Sequence, residues 1–134
     1  MRYLSAQELL VIHSEIIDQT GGMHGVKDLS LLQSIVEKPK GSFSGKELYE
    51  GIFRKAAVYL QSLVQYHVFV DGNKRTGIGA AARFLFLNGY QVSVRNKAME
   101  EFVLKIAVDK LELSVIARWI EKHAKKNGTS GFKN

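Results

Sequence analysis

Cysteine is absent from these 134 residues. Disulfides, thiolate metal sites and cysteine nucleophiles are therefore all excluded, and the redox compartment is left unmarked. A single proline, Pro39, interrupts the chain, so long helices are permitted almost everywhere else. No apolar run approaches the roughly 18 residues that a membrane span needs. The start of the chain, Met1 to Glu8, also lacks the apolar stretch of a signal peptide. These absences predict a cytoplasmic protein with no membrane partner. Internal repeats, low-complexity stretches and linkers are missing too. The length fits one domain, taken as residues 1–127, followed by a flexible Gly/Ser/Asn tail over 128–134.

Charge of one sign is in modest excess. Nineteen basic residues stand against thirteen acidic ones, a formal +6, which favours acidic partners such as nucleotides or an acidic protein. Part of that excess, Lys122, Lys125, Lys126 and Lys133, falls near the end of the chain. It gives little support to direct nucleic-acid binding.

Helix signals dominate what is present. Ser5 and Glu8 have capping-box spacing, and Leu9, Ile12, Ile16 and Ile17 then recur on one helical face until Thr20-Gly21-Gly22 stops them. Asp28 is placed to cap a short helix through Leu32, Ile35 and Val36, which Pro39 closes. Pro39 to Gly45 reads as an exposed loop or small hairpin. A long helix is predicted from Lys46, carrying Ile52, Ala56, Tyr59, Leu60, Leu63 and Val64, and another from Thr76 to Leu87, ended by Asn88-Gly89. Gln91 to Val94 reads as a short extended piece. Asn96 and Ser114 are expected to cap two last helices, with Phe102, Trp119 and Met99 as core filler. The fold class expected is all-α, a compact bundle of six or seven helices with a small flap loop or hairpin.

One segment concentrates chemistry: His67-Val68-Phe69-Val70-Asp71-Gly72-Asn73-Lys74-Arg75-Thr76-Gly77. It leads into a helix N-terminus, where backbone amides lack helical partners and the dipole favours anions. Gly72 allows close backbone approach, and Lys74 and Arg75 add two charges, the second with bidentate geometry for phosphate. Asp71 would repel a bare phosphate but suits Mg²⁺ lying between carboxylate and phosphate. His67, expected at the end of the preceding helix, can accept a proton from a hydroxyl near neutral pH. Phe69 and Val70 are expected to anchor the loop in the core. Each piece alone is ordinary: a histidine cap, an Asp-Gly-Asn turn, a solvated Lys-Arg. Their coincidence in nine residues matches what phosphoryl or nucleotidyl transfer to a hydroxyl requires.

His67 to Arg75 resembles the signature of the Fic-fold proteins, and specifically the death-on-curing (Doc) toxin branch, His-x-Phe-x-Asp/Asn-Gly/Ala-Asn-Lys-Arg. Gly21-Gly22-x-x-Gly25-x-x-Asp28-x-x-Leu31-Leu32 is similar to that branch's N-terminal segment, Pro39 to Leu48 to its flap, and Phe84-Leu85-x-Leu87-Asn88-Gly89 to its post-motif helix. The resemblance covers roughly residues 3–92. It implies a helical bundle whose motif loop binds ATP, or another nucleoside triphosphate, with Mg²⁺. By position, His67 would be the catalytic base and Asp71 the Mg²⁺ ligand. Gly72, Asn73, Lys74, Arg75 and Gly77 would hold phosphates. The flap, Lys40, Gly41, Ser42, Phe43, Ser44, Gly45 and Lys46, would align the target by backbone pairing.

Two departures from the wider Fic pattern discriminate between reactions. AMP-transferring members have Gly-Asn-Gly-Arg and a second arginine three residues later. Here Lys74 replaces the second glycine and Ile78 stands at the second arginine. Both changes resemble the Doc branch, in which the nucleotide lies reversed and the terminal phosphate is transferred. The inhibitory Ser/Thr-x-x-x-Glu-Gly/Asn helix of some Fic proteins finds no match, so the resemblance implies control by a separate small antitoxin. Translation elongation factor Tu is the target that the branch brings with it. The alternatives are AMP transfer, favoured by Gly72-Asn73, and a non-catalytic module binding nucleic acid or antitoxin.

Overall fold

The computed structural model describes residues 1–127, so the expected tail at 128–134, Lys133 included, lies outside the described residues. Six α-helices build the fold: α1 Ala6–Thr20, α2 Leu29–Glu37, α3 Ile52–Gln65, α4 Asn73–Leu87, α5 Asn96–Asp109 and α6 Leu113–Lys122. A 3-10 turn, Lys38–Lys40, holds the buried Pro39 and ends α2. Two small antiparallel ribbons complete it: β1 Ser42–Phe43 with β2 Lys46–Glu47, and β3 Tyr90–Val92 with β4 Ala124–Lys126.

Local signals explain most helix ends. The Ser5–Glu8 capping box forms with both bonds in place, and Asp28 caps α2 by accepting the Leu31 amide at 2.9 Å. Other ends differ from the sequence reading. The helix expected from Lys46 begins at Ile52. Ser44 and Gly45 both have positive φ (52° and 78°), which closes a two-residue hairpin, and Gly51 (87°) breaks the chain again before the helix. The helix expected from Thr76 begins three residues earlier. Asn96 and Ser114 lie inside α5 and α6, whose caps are Arg95 and Glu112 without side-chain capping bonds. The extended piece near residue 91 is real, but its partner is β4, register Gln91 to Lys125, which no local pattern announced.

α3 is the axis of the bundle. Ala56, Ala57, Val58, Tyr59, Leu60, Leu63 and Val64 are all buried, as are the polar Lys55 and Ser62, so the helix is enclosed on most of its surface. It packs chiefly on α4 and α6. Gly77 permits this: a Cβ there would lie 3.1 Å from Val64 Cγ2 and 3.3 Å from the Leu60 carbonyl. The buried Tyr59 hydroxyl accepts the Leu4 amide at 3.0 Å, tying the N-terminus to the core. This packing sets the end of α3 beside the start of α4, with the connecting loop between them.

Candidate active site

The loop from Tyr66 to Gly72 is held from three directions. Along one side lies the segment after α1. Lys27 and Asp28 donate their amides to the Val68 carbonyl (2.7 and 3.2 Å), Val70 donates to Gly25 (3.1 Å), and Val26 forms a β-bridge with Phe69. The glycines of the N-terminal pattern have a physical reason in this contact. A Cβ on Gly22 would sit 2.8 Å from an Asp71 carboxylate oxygen, and one on Gly25 3.1 Å from Val70.

From beneath comes His13, a buried residue of α1 that the sequence reading missed. Its Nε2 lies 2.7 Å from the Asp71 carbonyl. A carbonyl only accepts, so Nε2 carries the hydrogen. The ring stacks on Phe69 at 3.8 Å between centroids and 6° between planes. The signal available was spacing: Leu9, His13 and Ile17 fall on the buried face of α1.

The third support is Asn73. Its Oδ1 accepts the Phe69 amide at 3.0 Å, and its Nδ2 donates to the Phe69 carbonyl at 2.9 Å. Both polar ends of the side chain are therefore occupied by the loop's own backbone. Asn73 clamps the loop with its side chain.

Gly72 joins loop to helix in the left-handed region (φ 75°, ψ 20°), with the Thr76 amide making the first helical bond to its carbonyl. The amides of Asn73, Lys74 and Arg75 thus face out of the helix end without helical acceptors. Gly77, expected as a phosphate contact, lies beyond that first bond, is packed against α3 and does not line the cleft.

These residues open on a cleft of about 680 Å³ lined by His67, Asp71, Gly72, Asn73, Lys74 and Arg75. Its other walls come from Ile16 and Thr20 of α1, Ile78 of α4, and Asn96, Met99, Glu100 and Val103 of α5. Met99 packs against the core as expected and also lines the cleft. His67 lies two residues beyond the end of α3, exposed and without a hydrogen-bond partner among the described residues. Lys74 is likewise exposed and unpaired among them, and Arg75 reaches only the Thr20 hydroxyl at 3.4 Å. Phe69 is buried as expected, whereas Val70 is 49% exposed, because its neighbour's inward side chain turns it outward.

Asp71 is exposed. One carboxylate oxygen accepts the Gly72 amide (2.9 Å) and the other the Met23 amide (3.2 Å), which orients the group and leaves further lone pairs. Among the described residues no cluster of three or more His, Cys, Asp or Glu surrounds it. This donor set suits a hard cation that brings water and phosphate oxygens as its remaining ligands, and does not suit a closed protein cage. Residues 40–46, expected as the target flap, do not line the cleft; Lys40 ends the 3-10 turn and residues 42–46 belong to the β1–β2 hairpin, with Phe43 74% exposed near its tip. No helix among the described residues is long and apolar enough to cross a membrane.

Comparison with known proteins places the sequence in a family. The Fic/DOC family pattern matches residues 3–85, more than half of the chain. Over 91 residues the chain is 40% identical to "Toxin Doc" of Mycolicibacterium smegmatis, covering 68% of each protein. Over 92 residues it is 34% identical to "Protein kinase doc" of Escherichia phage P1, covering 69% of this chain and 72% of that one. The matched stretch holds the whole motif loop and its three supports, while α5, the far wall of the cleft, lies outside the family match. This chain belongs to the Fic/DOC family, and the relatives it matches are of the Doc type.

Proposed function

We propose that this protein is a Doc-type kinase toxin, transferring the terminal phosphate of a nucleoside triphosphate to a hydroxyl of a target protein. The observation that carries the reading is the pairing of Lys74 and Ile78 on the cleft wall. Lys74 puts an ammonium group where close backbone contact with an α-phosphate would need a glycine. Ile78 puts an apolar side chain where a second phosphate-clamping arginine would stand. The relative named as a protein kinase points the same way.

In this reading His67 takes the proton of the incoming hydroxyl on an imidazole nitrogen. The hydroxyl oxygen forms the new bond to the terminal phosphorus, and the bridging P–O bond breaks to release the nucleoside diphosphate. Lys74, Arg75 and the free amides of Asn73 to Arg75 hold the phosphate charge as it shifts toward the leaving group. Asp71 would hold Mg²⁺, which supplies further charge neutralisation when bound. The flap would align the target chain by strand pairing along the hairpin edge. A small antitoxin protein is the expected regulatory partner, in keeping with the toxin name of one relative. Translation elongation factor Tu is the first target to try.

The test is to incubate purified protein with a bacterial lysate and ATP labelled at either the α or the γ phosphate. A protein band labelled only by the γ position, and lost in His67→Ala, is the expected result. An α-labelled band would make it an AMP transferase, the reading that Gly72-Asn73 favours. Absence of both, with elongation factor Tu added and other triphosphates tried, would leave a binding module as the better account.

A further inference from the structure

Lys55 is placed where elementary electrostatics argues against it. It is fully buried in the first turn of α3, and no acidic residue of that turn accompanies it. Burial penalises its charge, and the positive end of the helix dipole penalises it again. An apolar side chain of similar length would fill the same space without either cost.

What the lysine does there is reach the flap. Its Nζ donates to Glu47 Oε1 at 2.6 Å and to the Tyr49 carbonyl. Glu47 belongs to β2 and pairs across the hairpin with Ser42 of β1. Tyr49 lies in the connection between the hairpin and α3. A two-stranded ribbon of two residues per strand is not stable by itself. Apart from Lys55, the hydrogen bonds that hold this one are short-range: Leu48 to Gly41 at 2.9 Å and Gly41 to Lys38 at 3.1 Å. Lys55 links the hairpin to the helix whose far end leads into His67.

We propose that the Lys55–Glu47 pair is a strut that fixes the flap on α3, making Lys55 a positioning residue for the target chain. This rests on the reading of the flap as the target-aligning element. The strut sets where the hairpin edge stands, while the phosphate end of the cleft is held separately by His13, Asn73 and the Gly22–Asp28 segment. Loss of the strut therefore weakens engagement of the protein target and spares nucleotide binding.

The experiment compares Lys55→Met, Lys55→Arg and Glu47→Gln with wild type by three readouts. Amide hydrogen exchange of residues 41–48 measures flap order. Equilibrium dialysis with Mg-ATP measures nucleotide affinity. The initial rate of γ-phosphate transfer into lysate protein, over a range of lysate concentrations, measures target engagement. Glu47→Gln alters only the half-exposed partner, so it tests the strut even if Lys55→Met fails to fold. Expected are flap exchange at least tenfold faster in Lys55→Met and Glu47→Gln, and Mg-ATP affinity within twofold of wild type. Transfer should fall at low lysate concentration and recover as lysate is raised. Lys55→Arg, which keeps a buried cation on Glu47, should retain most of the order. Flap exchange unchanged in Glu47→Gln overturns the strut, as does a loss of transfer that more lysate does not restore. If wild type labels nothing, the kinase reading fails while flap exchange still decides the strut.

Discussion

His13 offers the most direct check on how the motif loop is built. Replacing it by Phe keeps a ring to stack on Phe69 but removes the donor to the Asp71 carbonyl. A partly buried carbonyl left without its partner costs about 1–2 kcal/mol. Replacing it by Ala also removes the stacking, worth roughly 0.5–1.5 kcal/mol, and opens a cavity at a buried position. The total should reach about 2–4 kcal/mol. Urea unfolding at constant slope gives both values. The ordering follows from the geometry: His13→Phe is less costly than His13→Ala, and under the proposed function both weaken Mg-ATP binding, because the same loop carries Asp71 and the start of α4. His13→Phe as stable as wild type, with nucleotide binding intact, would refute the claim that this hydrogen bond holds the loop.

Three further outcomes follow from the same structure. Asn73→Ala removes both bonds to the Phe69 backbone and should cost roughly 1–3 kcal/mol, whereas a side chain used only for phosphate would leave unfolding in the absence of nucleotide unchanged. Gly72→Ala places a Cβ 2.9 Å from Ile17 Cδ1 at a φ of 75° and should destabilise by about 1–2 kcal/mol. Adding Ile17→Val relieves the steric part, so the double variant should be less destabilised than the sum, a coupling read from a double-mutant cycle. Burial pushes the Tyr59 hydroxyl up to about 12 from 10.0, against a smaller opposing effect of the Leu4 amide. The folded state then holds its proton more tightly than the unfolded chain, so this contribution is complete below pH 10 and is lost as pH rises toward 12. The loss, at most about 2.7 kcal/mol for a shift of this size, should be absent in Tyr59→Phe when both are unfolded at pH 9 and pH 11.5.

The helical class, the capping of α1 and α2, and the contiguous motif shared with the Fic/DOC family were legible in the sequence alone. The reason is locality: capping boxes, glycine stops, apolar spacing and a motif of contiguous residues are all written within a few positions of one another. Tertiary structure decided what those residues touch. The Asn73 side chain clamps the Phe69 backbone and Gly77 packs on Val64, because those residues stand beside them once α3 and α4 pair. His13 showed only the spacing of a buried residue and Lys55 gave no sign of its role, because the fold supplies their partners: Asp71 lies 58 positions from His13, and Glu47 sits on β2, eight positions before Lys55. The far wall of the cleft came from α5, and β3 found its partner in β4 more than thirty positions later. Pairings of that kind depend on which surfaces the packed core brings together, and no pattern within one segment of chain records them.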